Sequence, residues 1–136
     1  MKLSEIKIDS AAVEGGAWRK AVGLSGVEFH LRGAGNSAWE ALNEKLHREL
    51  PAASQQAVRL AREDVRRITV ELLVGACLLD WRGIEDDQGK PIAFSPDVAR
   101  EMLSDPDMAR LRNSVAATAA KLSDETLAER DAASGN

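Results

Sequence analysis

The spacing of apolar and polar residues changes period along this chain, and each change marks an element. Val27, Phe29 and Leu31 alternate with Glu28, His30 and Arg32, the period of a half-buried strand. Trp18-Arg19-Lys20-Ala21-Val22 is a weaker run before it, and Gly23-Leu24-Ser25-Gly26 between the two supplies a turn. The pair reads as a β-hairpin. A lone hairpin is marginal in water, so its apolar face must lie on helices or on another chain. Gly33-Ala34-Gly35 breaks the pattern, and Asn36 then offers a helix N-cap whose side-chain oxygen can accept from a first-turn amide. Trp39, Leu42, Leu46 and Leu50 follow at spacings of three and four, and Pro51 ends that helix.

From about Ala53 to Asp80 the pattern is that of one long helix. Val58 and Leu60 open it; Val65, Ile68, Leu72, Gly75 and Leu79 share a stripe, which Val70, Leu73, Val74, Cys77 and Leu78 widen. A helix that is apolar nearly all round is buried on most sides, so Val65–Leu79 is expected to be the central core helix. Gly75 costs roughly 1 kcal/mol against Ala there, which points to close approach of a neighbour. Asp80 to Pro96 is a shaped connection, with Gly89 free to take positive φ and Pro91 holding Lys90 extended. Ser95-Pro96 restarts a helix with a capping serine and a proline at the first position, and Asp105-Pro106 repeats that grammar. Met108, Leu111, Val115, Ala119 and Leu122 then recur at helical spacing, and Ser123 or Asp124 could cap a last short helix.

The expected fold is therefore α+β and mostly α, a small N-terminal β-hairpin packed on a bundle of four to five helices. Residues 1–17 read as an extended, flexible arm, residues 18–122 as the folded domain, and residues 123–136 as an acidic, partly disordered tail. Composition sharpens this only in places. Aromatics are 4% of the 136 residues, so the core must be aliphatic. A net charge of −4 argues against a nucleic-acid or membrane-surface partner, both of which want a basic face. The longest apolar run, Leu72 to Leu79, is short of the roughly 20 residues a membrane helix needs. The start is too charged for a signal peptide, so a cytoplasmic setting is expected.

Candidate chemistry is sparse. Cys77 sits in an apolar run and reads as a core residue. His30 and His47 lie on polar faces with no acid or cysteine at ligand spacing. Glu85-Asp86-Asp87 lacks the alternating oxygens and distal glutamate of a calcium loop. Gly33-Ala34-Gly35 lacks the lysine that a phosphate loop requires. Arg59, Arg62, Arg66 and Arg67 are interleaved with Glu63 and Asp64, which describes a solvated flank. No catalytic, metal or cofactor site is expected, and the chain reads as a non-enzyme. Trp81 and Phe94 bracket the acidic loop, where they either pack on each other and the core or face a partner.

The block from Leu78 to Pro96, with its Asp-Trp-Arg-Gly turn, acidic Gly-Lys-Pro loop and Phe-Ser-Pro helix start, resembles the central motif of tail assembly chaperones of long-tailed bacteriophages and prophages. Leu103-Ser104-Asp105-Pro106-Asp107 matches the step that follows it in that family, and Glu14-Gly15-Gly16-Ala17-Trp18 and Arg32-Gly33-Ala34-Gly35-Asn36 match more loosely. Met108 and the alanines at Ala116-Ala117 and Ala119-Ala120 depart from the family pattern, which has larger residues there. The resemblance covers roughly residues 10–122. It implies a non-enzymatic protein of the host cytoplasm that binds the tape-measure protein and recruits major tail tube subunits, with self-association possible. It would be absent from the mature virion, and a frameshifted longer form can exist in such families. Trp18, Phe29, Trp39, Trp81 and Phe94 are then the expected partner anchors. The alternative is a structural virion component, such as a small head–tail adaptor or tail-completion protein; a DNA-associated helical protein fits the charge less well.

Overall fold

The computed structural model describes residues 1–57 and 60–134. Val58 and Arg59, placed by the sequence on the long helix and its basic flank, lie outside the described residues, as do Gly135 and Asn136. The fold is α+β and mostly helical, as the patterning predicts. Its strands are β1 (Ala17–Lys20), β2 (Glu28–Leu31) and β3 (Leu78–Arg82), joined as an antiparallel sheet in that order. Its helices are α1 (Ser10–Gly15), α2 (Ser37–Arg48), α3 (Ala52–Gln55), α4 (Arg62–Leu72), α5 (Pro96–Ser104), α6 (Ala109–Asp124) and α7 (Leu127–Ser134).

The hairpin forms where alternation places it, and Phe29 and Leu31 are fully enclosed. The long helix does not form as one piece. α4 ends at Leu72, a π-helical turn spans Leu73–Cys77, and the chain passes straight into β3. Leu78 N–H still donates to Leu73 C=O, five residues back, before its own ψ of 122° turns extended. A continuous apolar run fits a buried helix or a buried strand equally well. The open edge of β2 decides between them, because its outward amides would otherwise be buried without acceptors. Just past the ends of both strands the pairing continues, with Arg32 N–H donating to Cys77 C=O at 2.9 Å. The widened turn lets Leu73, Val74, Ala76 and Cys77 all point inward, with Gly75 alone left outside. A Cβ on Gly75 would lie 2.9 Å from Leu42 Cδ2, so the close approach expected there is real. Val65 and Leu79, assigned to the buried stripe, are instead exposed. Val65 lies on the outward side of α4, and Leu79 is the extra residue of a bulge between the His30–Asp80 and Leu31–Leu78 pairs.

The core holds Phe29, Leu31, Leu73, Val74, Cys77, Leu78 and Trp81 from the sheet and π turn, with Ala99 and Leu103 of α5 and Leu111, Val115, Ala119 and Leu122 of α6. A satellite cluster joins α2 to α4 through Leu46, Leu50, Ile68 and Leu72. Asn36 sits between the two. Its Oδ1 accepts from Trp39 N–H to cap α2, and its Nδ2 donates to Gly33 C=O and to Ala76 C=O, each at 2.8 Å. The alanines of α6 have a role here: Ala34 N–H reaches Ala119 C=O at 3.1 Å, and a Cβ on Gly33 would run into Ser123 Oγ. Small residues on both sides let the strand-to-helix turn cross α6 in backbone contact.

The two ends of the chain differ from the extended arm and loose tail read from sequence. Leu3–Glu5 forms a 3-10 turn, and α1 is capped by Asp9, whose Oδ1 accepts from Ala12 N–H. α7 is capped by Thr126 rather than by Ser123 or Asp124, with Glu129 N–H donating to Thr126 Oγ1 at 3.1 Å. The ends clasp each other. Ile8 bridges Thr126, Leu127 N–H donates to Lys7 C=O at 2.8 Å, and Arg130 Nη1 meets Asp9 Oδ2 at 2.9 Å. Long-range backbone pairing holds the arm in place, a contact that no local pattern encodes.

Candidate functional surface

The sheet has an apolar inner face and a largely polar and charged outer one. Inward, Phe29 stands opposite Trp81 across β2 and β3, and Phe94 meets the Trp81 ring edge-on at 5.2 Å and 82°. Trp81 Nε1–H donates to Ile92 C=O at 2.7 Å, so the indole is satisfied while it is buried. That bond ties β3 to the far limb of the Ile84–Ile92 loop, where Ile92 N–H returns to Ile84 C=O at 2.8 Å. The loop is closed by its own acid: Asp86 Oδ1 accepts from Gln88 N–H and Lys90 N–H, both at 2.9 Å, and Gly89 takes a φ of +83°. The Asp86 carboxylate thus serves the turn. No group of three or more His, Cys, Asp or Glu side chains able to hold a metal occurs among the described residues.

Outward, Trp18 stacks on His30 with centroids 5.2 Å apart and planes 14° from parallel, and the Arg82 guanidinium lies 4.1 Å from the Trp18 ring centre. Arg82 also pairs with Glu28 at 2.9 Å. That contact holds the Glu28 carboxyl below its ordinary pKa and raises that of Arg82. Burial pushes the Cys77 thiol up to about 12, so it is a packing group and no nucleophile at neutral pH.

The five aromatics singled out from sequence do not converge. Phe29 and Trp81 are interior, Phe94 is half-buried against Trp81, Trp39 is half-buried between the two clusters, and Trp18 alone lies on the outer face. Phe29 and Trp81 could reach a partner only if the fold opened. Two surface features escaped the sequence reading. One is a row of exposed apolar side chains, Met1, Leu3, Ile6 and Ile8, in the segment that clasps α7. The other is a cleft of about 350 Å³ between β1 and the α6–α7 corner. Trp18, Lys20, Glu28, Lys121 and Leu122 are among its lining residues, and Arg19, also in the lining, grips Glu125 with two bonds of 2.7 and 3.2 Å. The first lay in a stretch without periodicity; the second is assembled from strands and helices a hundred residues apart.

This is a small, mostly helical α+β protein with a three-stranded antiparallel sheet. It belongs to a prophage family: a family model described as "YdaY prophage protein" matches residues 34–136, from the turn before α2 to the end. No curated protein and no solved structure matches the chain. No helix among the described residues is long and apolar enough to cross a membrane.

Proposed function

We propose that this prophage protein is a non-enzymatic tail assembly chaperone that binds the tape-measure protein and recruits major tail tube subunits in the host cytoplasm. The observation that carries the reading is the exposed apolar row of Leu3, Ile6 and Ile8, held on the surface by the clasp to α7. A protein that coats a long helical client needs an apolar surface able to meet many similar segments weakly. Such a row is otherwise costly to leave in water. The resemblance of Leu78–Pro96 to the tail chaperone motif supports the same role, and membership in a prophage family agrees with it. The motif residues build a joint: Trp81 anchors the loop, Gly83 and Gly89 bend it, and Ser95 starts α5.

Co-expression tests the role. The tape-measure protein of the same prophage should gain solubility and co-purify with this chain, and Leu3→Asp with Ile6→Asp should abolish both effects. If neither the tape-measure nor the tail tube protein is retained by the wild-type chain, the reading fails. Mass spectrometry of purified particles separates it from a virion component, since a chaperone should be missing from them.

A further inference from the structure

β1 is one of the two edge strands of the sheet, and its outer side is only partly covered. Ala21 N–H donates to Val27 C=O at 2.9 Å, so residues 17, 19 and 21 turn their main-chain groups toward β2. Trp18, Lys20 and Val22 therefore turn theirs outward. α6 closes the edge at Val22 with two hydroxyls: Val22 N–H donates to Thr118 Oγ1 at 3.0 Å, and Ser114 Oγ donates to Val22 C=O at 2.7 Å. Trp18 C=O is taken by the Arg19 guanidinium at 2.8 Å. At Lys20 the helices stand back and leave the 350 Å³ cleft. Trp18 N–H and both main-chain groups of Lys20 meet no partner among the described residues.

We infer that this edge accepts an extended, acidic segment of a partner protein, which adds to β1 as a fourth strand within the cleft. From Trp18 to Val22 the edge runs about 13 Å, so the added strand is short. Main-chain pairing with Lys20 supplies the register, and the charge around it supplies the selection. Lys20 faces Glu28 across the strand pair but makes no hydrogen bond or close ion pair among the described residues, and neither does Lys121; Glu28 is held by Arg82 and Arg19 by Glu125, which leaves the two lysines as the charges available to an acidic guest. Trp18, Leu122 and Ala133 give the alternate side chains of the guest an apolar surface. A second copy of this chain is a poor guest, because pairing β1 with β1 brings Arg19 and Lys20 of both copies together and like charges across a sheet repel.

The site is independent of the tape-measure contact, and it is tested on the purified full-length chain with synthetic peptides. The probes are a capped hexapeptide of alternating Glu and Val, its Lys–Val counterpart, and the Glu–Val peptide N-methylated at alternate residues. Amide hydrogen exchange read by NMR should slow at Trp18 and Lys20 when the acidic peptide is added. The lysine peptide should bind about tenfold more weakly or worse, and the N-methylated one should give no protection. Lys20→Glu with Lys121→Glu, both exposed, should reverse the charge preference while the remaining amide spectrum is unchanged. Absence of protection by the acidic peptide, or equal binding of its N-methylated form, overturns the proposal. So does protection that grows with protein concentration alone, which would assign the edge to a second copy.

Discussion

The two apolar clusters, one of mixed aromatic and aliphatic side chains and one of leucine and isoleucine alone, differ in how they are closed. The main core draws on β2, the π turn, β3, α5 and α6, and Phe29, Leu31, Ala99, Leu103, Val115 and Ala119 have no exposed surface at all. The satellite draws on α2 and α4 with the turn after α2, and every one of its members keeps 4–9% of its surface in contact with water, a level the main core reaches only at its margin, as at Ala21, Val74 and Trp81. One is sealed from several directions by segments distant in sequence, while the other is two neighbouring helices pressed together. The lesson is that burial by local neighbours leaves a rim, and a rim lowers the cost of losing a side chain. Asn36, which caps α2 and bonds to the π turn, and the Arg100–Glu71 pair between α5 and α4 couple the two sides without making them equal.

Truncations measure that inequality. Trp81→Ala removes the Phe94 contact and the bond to Ile92 together, and should cost about 3–5 kcal/mol in urea denaturation; a loss below about 1 kcal/mol would mean that the main core does not rest on it. Gly83→Ala comes next. Gly83 has a φ of +92°, and a Cβ there would strike the Gly26 carbonyl, so the hairpin turn and the start of the acidic loop must separate. A loss of about 1–3 kcal/mol is expected, with chemical-shift changes centred on residues 24–27. Leu46→Ala, in the satellite, should cost about 2 kcal/mol, at the low end for a buried leucine, because α2 can settle toward α4. A cost equal to that of Trp81→Ala would erase the distinction between the clusters.

The smallest effect concerns acid. Asp9 has its carboxyl pKa depressed, first by Ala12 N–H and further by Arg130. A depressed carboxyl contributes stability that is complete above its unfolded-state pKa and lost as pH falls through the folded value. The clasp should therefore hold at neutral pH and loosen below the ordinary aspartate range, before either cluster opens. Exchange of the Leu127 amide, which donates to Lys7, reports it directly; an exchange rate that does not respond beyond its intrinsic acid dependence would show that Asp9 plays no part.

What sequence conveyed about these regions follows from the range of the interactions. The hairpin, the Asn36 cap, the Ser95-Pro96 and Asp105-Pro106 starts and the α6 stripe are set by neighbours within a few residues, and all are found. β3 was misread because Leu72–Leu79 is apolar in every period, so only the waiting edge of β2 could choose its form. The order at both termini was invisible for a related reason: Lys7, Ile8 and Asp9 are fixed by residues 126–130. The aromatic anchors were legible as aromatics, but two of the five proved to be interior, since Phe29 and Trp81 hold the inner sheet face. The β1 cleft depends on where α6 stops covering an edge, and no spacing along the chain records that.

The clasp between the ends also has a consequence in time. Asp9 and Arg130 are 121 positions apart, so on a ribosome adding roughly 5–20 residues per second the first partner waits about 6–24 s for the second. During that interval the segment around Leu3, Ile6 and Ile8 is untethered while the sheet and α2 behind it can already be folding. The segment is therefore first a loose apolar strand and only later a fixed one, so the order of synthesis sets which form is exposed at each moment.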